Sequence, residues 1–239
     1  YSKKHPVVGL VYSGLGLYGV FLLGVGLFHL GYEGGLSQAL KDGVQKTAEV
    51  MQANPQQKEF LASDHPYAQM MSRWVENPQL AVDAIMSWSF AIVFVSVFLG
   101  LWIALFLVLR NSPIWRQRIS YPFQANDLLS FRMPDVMAWP LIVGLALYVG
   151  GEYIMDARMA EVFGGNILMV LGVFYFFQGV GIYLETLDYF QIYGFLRSIL
   201  VVVVLIFAWE VLVLGGIFDM WMNFRKWLTN EDKDEGDKS

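Results

Sequence analysis

AIMSWSFAIVFVSVFLGLWIALFLVL, residues 84–109, contains no Asp, Glu, Lys or Arg. At ~1.5 Å per residue, a helix over this stretch is longer than the ~30 Å hydrocarbon core of a bilayer. Four further apolar runs lie around it, at residues 7–30, 136–151, 162–184 and 195–218, each ending at charge, Pro or Gly. Backbone polar groups in lipid must be satisfied within the chain, which leaves helices or a closed barrel. The runs are continuous rather than alternating, so the expected fold is all-α: a polytopic transmembrane bundle of about five spans.

The composition agrees, with 56% hydrophobic and 15% charged residues, too little polar surface to cover a water-soluble core. There is no cysteine, which excludes disulfides, thiolate nucleophiles and Cys-based metal sites. Of the three histidines, His5 and His65 lie outside the apolar runs and His29 sits near the end of one, a spacing that does not provide paired haem ligands. The formal net charge of -5 gathers in loops and the C-terminal tail, with no basic stripe for nucleic acid. No cofactor or metal is expected. The run that follows Lys3 and Lys4 is long, glycine-rich and without a small-residue cleavage site, unlike a signal peptide. The start at Tyr1 agrees with further upstream spans in a longer product.

Four segments follow: a glycine-rich first span (residues 1–30), a polar insertion (31–83), a transmembrane bundle (84–227) and a charged tail (228–239) expected to be disordered. In the insertion Leu36, Leu40, Val44, Ala48 and Met51 recur at helical spacing until Asn54-Pro55. A second patch, Tyr67, Met70, Met71, Trp74 and Val75, runs to Asn77-Pro78. This describes two amphipathic helices on the membrane surface, or a lid or docking surface built from them. Arg110, Arg116 and Arg118 mark a cytoplasmic loop, while the acidic stretch 152–161 suits the opposite face. Lys3 and Lys4 then fall inside and the insertion outside. Arg225 and Lys226 conflict with five single crossings, unless a re-entrant segment hides in residues 185–194.

Gly14, Gly16 and Gly19 spell G-x-G-x-x-G, but inside a membrane span rather than at a strand-to-helix turn, so no dinucleotide site is expected. Gly9, Gly16, Gly19, Gly24, Gly26 and Gly31 instead share about half of one helix circumference, a surface for close approach of another helix. Glu210 falls in the middle of the last run, where an acid should be neutral, paired or facing a wet cavity. Gln178-Gly179 interrupts the fourth run and calls for an interhelical partner. Asn166 is placed to cap that helix or to face a pocket at the membrane surface. Asp219, Trp221, Asn223 and Arg225 form a terminal D-x-W-x-N-x-R, in which Trp221 suits an interfacial belt.

Three sets of segments carry a family resemblance: Tyr121-Pro122-Phe123 with Phe131-Arg132-Met133-Pro134-Asp135, Gly165-Asn166-Ile167-Leu168 with Phe177-Gln178-Gly179, and Gly216-Ile217-Phe218-Asp219-Met220-Trp221 with Phe224-Arg225. Their order and spacing resemble the YybS-like family of bacterial multi-pass membrane proteins, a domain of unknown function, over residues 84–227. The insertion is less characteristic of that family. The family is distantly similar to the substrate-binding subunits of energy-coupling-factor transporters. That likeness implies a bacterial inner-membrane protein that binds a small-molecule ligand beside other membrane-protein subunits, with Glu210 and Gln178 lining its cavity. No G-x-x-x-x-G-K-[ST] gives the chain an ATPase of its own. The rival expectation is a structural scaffold or assembly factor, in which the glycine face and the insertion bind protein partners. An enzyme is not expected, because the runs contain no Ser/His pair, Asp pair or His-rich constellation.

Overall fold

The computed structural model describes residues 5–111 and 123–224. Lys3, Lys4, Arg116, Arg118, Tyr121, Pro122, Arg225, Lys226 and the tail 228–239 lie outside the described residues. All regular structure among the described residues is helical. The helices are α1 (Pro6–Gly31), α2 (Gly35–Ala53), α3 (Pro55–Leu61), α4 (Pro66–Glu76), α5 (Pro78–Arg110), α6 (Ala125–Leu129), α7 (Ala138–Gly150), α8 (Ala157–Tyr189), α9 (Gly194–Phe207) and α10 (Trp209–Met222). Short 3-10 turns, Asp135–Met137 and Gly151–Tyr153, extend α7 at both ends.

Four elements are long and apolar enough to cross a membrane: α1, α5, the extended α7 and α8. The fifth run departs from the expected straight span. It breaks at Ala208 into α9 and α10, which meet at 93°. The re-entrant feature anticipated in residues 185–194 is therefore not there. α8 continues to Tyr189, and a tight turn with Gln191 (φ 55) and Gly194 (φ 69) leads into α9. A two-pronged ion pair between Arg197 and Asp188 ties the start of α9 to the end of α8.

The chain divides into two compact units, residues 15–93 and residues 1–14 with 94–239. In the first, the amphipathic pattern of the insertion becomes three helices punctuated by prolines. Asn54 and His65 each accept a hydrogen bond from the backbone N–H two residues on, with Pro55 and Pro66 opening α3 and α4. His29 Nδ1 accepts from Leu36 N at 3.1 Å and links the end of α1 to α2. Gly35 is required there twice over, by its φ of 68° and because a Cβ would lie 2.6 Å from the His29 ring. α2, α4 and the first turns of α5 enclose an apolar groove of about 470 Å³.

In the second unit α8 is the central helix, with half of its most apolar window buried against 11–17% in the other candidate spans. α7 runs antiparallel to it: Gly144 faces Ile167, with a Cβ landing 2.8 Å from Cγ2, and Gly151 faces Ala160. A Cβ on Gly164 would lie 2.7 Å from the Gly144 carbonyl oxygen, so here backbone meets backbone. Close contact between small residues is a main source of helix association in lipid. The C-terminal half of α5 reaches α8 through aromatic rings. Phe98 packs edge-on to Phe174 at 5.0 Å and Trp102 stacks on Phe177 at 5.0 Å.

The glycine face of α1 is not used by the described residues. Gly9, Gly16, Gly19, Gly24, Gly26 and Gly31 have no described atom within 4 Å of a would-be Cβ, whereas Gly14 accommodates the ring of Phe98. Helical periodicity places those glycines on one side, but what approaches that side depends on groups the periodicity does not name.

Candidate functional site

Pro134 follows Met133, which biases the backbone of Met133 away from helix. Its N–H, in a residue only 6% exposed, therefore needs an acceptor from elsewhere. Gln178, on α8, supplies it: Met133 N donates to Gln178 Oε1 at 2.9 Å. That bond fixes the orientation of the amide, so its NH₂ group points away and donates from Nε2 to Asp219 Oδ2 at 2.9 Å. Gln178 and Asp219 are both completely buried. One side chain thus joins the segment before α7, α8 itself, and the last turn of α10.

The helices must approach closely for this to happen, and glycine permits it. A Cβ on Gly179 would overlap the carbonyl oxygen of Leu212, and one on Gly216 would overlap that of Tyr175. These contacts also show that α10 runs antiparallel to α8. Tyr175 adds a hydroxyl that donates to Met220 Sδ at 3.0 Å, and with Met133 and Leu171 it forms the buried core on which Phe131, Ile167, Val213 and Ile217 pack.

The lock is not fully closed. Among the described residues Asp219 Oδ1 is buried without a hydrogen-bond partner, and so is Trp102 Nε1, whose ring lies on Phe177 next to Gln178 in sequence. One is an acceptor and the other a donor. Each retains capacity for a further polar group in an otherwise apolar interior.

The anticipated site residues are distributed differently. Glu210 does not line a cavity with Gln178. The break at Ala208 puts it in the first turn of α10, where it is exposed. Free N–H groups and the positive end of the helix dipole favour a carboxylate at that position. Asn166 is not a cap, because α8 starts earlier. Asp156 caps it, accepting from Arg158 N and Met159 N at 3.1 Å each. Asn166 sits inside the helix and donates to Val162 O at 2.7 Å. Trp221 is exposed, and Asn223 ends α10 in the left-handed conformation, φ 49°. Arg225, the last member of that motif, lies outside the described residues.

The sequence shows that Gln178 needs a partner, but the acid that meets it is Asp219 rather than Glu210. A usable signal was present. Gly216 stands three residues before Asp219 and so on the same face of its helix, just as Gly179 adjoins Gln178 on α8. A polar residue beside a glycine on each of two helices marks a pair able to approach and bond.

Comparison with protein-family models, with curated proteins and with solved structures found no match.

Proposed function

We propose that this chain is a non-enzymatic subunit of a larger membrane-protein assembly, a structural scaffold in the inner membrane of a bacterium. The observation that carries this reading is the use made of the polar residues inside the bundle. Gln178 spends both ends of its amide on Met133 and Asp219, and the glycines beside it bring α8 and α10 into backbone contact. Such residues hold helices together. The open glycines of α1 supply a surface on which a partner helix can approach closely. The bacterial inner membrane rests on the resemblance to the YybS-like family.

A second reading, a solute-binding transport component, draws on one specific observation: Asp219 Oδ1 and Trp102 Nε1 are buried and unpartnered among the described residues. A polar ligand group reaching either atom would satisfy it. Tagged protein extracted into native lipid discs and weighed intact tests the two readings. The scaffold reading expects other membrane proteins at fixed stoichiometry, lost when Gly16 and Gly19 are both changed to Leu but kept when Leu15 and Val20 are altered. A 27.2 kDa chain alone with a bound small molecule refutes it in favour of the second.

A further inference from the structure

The groove in the unit of residues 15–93 has a composition and a charge border that specify an occupant. Leu40, Val44 and Met51 of α2 form one wall and Trp74 of α4 another, while Ala81 and Ile85 of α5 close the base. From Leu40 to Met51 the groove follows α2 for about 16 Å. Its lining is almost wholly apolar, and it ends on the first turns of a helix that continues as a candidate membrane span of mean hydropathy 2.9. Its end at Ile85 shares a helix face with the exposed Ile92 one heptad further along α5.

Two further features are built into α2. Gly43 lies in the middle of the helix, where glycine costs ~1 kcal/mol relative to Ala. It lines the groove, and a would-be Cβ there meets open space, so a larger side chain at this position would extend into the groove. At ~100° per residue Lys41 and Lys46 fall on the two opposite borders of the apolar face, while Asp42 and Glu49 fall on the polar pole between them. Both lysines are exposed and long enough to carry an ammonium group to the edge of that face.

We propose that the groove holds an acyl chain of an anionic membrane phospholipid, with Lys41 and Lys46 facing the phosphate at the rim. An extended apolar slot suits a hydrocarbon chain, and cations on both rims suit the headgroup attached to it. A peptide helix seated there would meet the same two cations but leave the shared face on α5 unexplained.

The absence of cysteine makes the test direct. Single cysteines at Thr47, exposed at the groove rim, at Gln45 on the polar side of α2, and at Ile92 on α5 would carry a bimane fluorophore. The full chain would be reconstituted in phosphatidylglycerol vesicles with and without bromine at mid-chain. Quenching at Thr47 should approach that at Ile92 and exceed that at Gln45 severalfold. In a Gly43→Leu background, which fills the groove and improves helix propensity, quenching at Thr47 should fall to the Gln45 level while Ile92 is unchanged. Quenching at Thr47 no stronger than at Gln45 overturns the proposal. So does quenching that persists in Gly43→Leu, since α2 would then be lying on the bilayer rather than enclosing a chain.

Discussion

Replacing Gln178 by Leu keeps the volume of a buried side chain nearly constant and removes its hydrogen bonds, so it isolates the polar contribution of the lock. Two groups lose their partners: Met133 N–H and Asp219 Oδ2. A buried group left unsatisfied costs ~1–3 kcal/mol in proteins generally. Interhelical hydrogen bonds measured in a membrane protein average ~0.6 kcal/mol and reach ~1.7, because chains unfolded in the membrane find other partners. Gln178→Leu is therefore expected to cost about 2–3 kcal/mol in reversible unfolding by anionic detergent. Asp219→Leu should cost less, because it removes an acid whose Oδ1 has no described partner to lose and orphans only Gln178 Nε2. The double variant leaves only Met133 N–H unsatisfied and should fall below the sum of the singles by about 1 kcal/mol, well outside the ~0.3–0.5 kcal/mol of ordinary additivity. An additive cycle, or an Asp219→Leu cost equal to that of Gln178→Leu, would refute the geometry of the lock.

Gly216→Ala should destabilise by more than the ~1–3 kcal/mol typical of overpacking, because its Cβ would run into the Tyr175 carbonyl, which is backbone and has no rotamer to change. Gly172→Ala, on the same helix as Tyr175, meets no described atom within 4 Å and should be neutral or stabilising by up to ~1 kcal/mol in the same unfolding assay. Single cysteines at Gln124 and Glu152, tested with an impermeant thiol reagent on sealed vesicles, should label from opposite sides; labelling of both from one side would refute a crossing by the extended α7.

The spans were legible because the length of an apolar run against bilayer thickness is a one-dimensional quantity, and α1, α5, the extended α7 and α8 lie where residues 7–30, 84–109, 136–151 and 162–184 placed them. Helix ends were less so. α8 begins at Ala157, five residues before its apolar run, because Asp156 offers a cap while Arg158 and Glu161 lie in the exposed first turns, where charge is tolerated. The break at Ala208 left no mark in sequence: no Pro or Gly stands there, and the surrounding residues are good span formers. The partner of Gln178 was hidden for a related reason. Burial of Asp219 follows from the approach of α10 to α8, a tertiary event, and a residue near the end of an apolar run reads as interfacial by position alone.

That break bears on the charge conflict at the C-terminal end. Along its own axis α10 advances only about 21 Å, short of the ~30 Å a crossing needs. With a 93° bend α9 adds almost nothing along that direction. α10 also runs back along α8, from Leu212 beside Gly179 to Gly216 beside Tyr175. α10 therefore starts toward the Tyr189 end of α8 and stops alongside its middle, so by length the bent pair adds no straight fifth crossing among the described residues. Five straight crossings would set Arg225 and Lys226 against the positive-inside rule, so the bend at Ala208, which the sequence does not announce, is the feature on which that conflict turns.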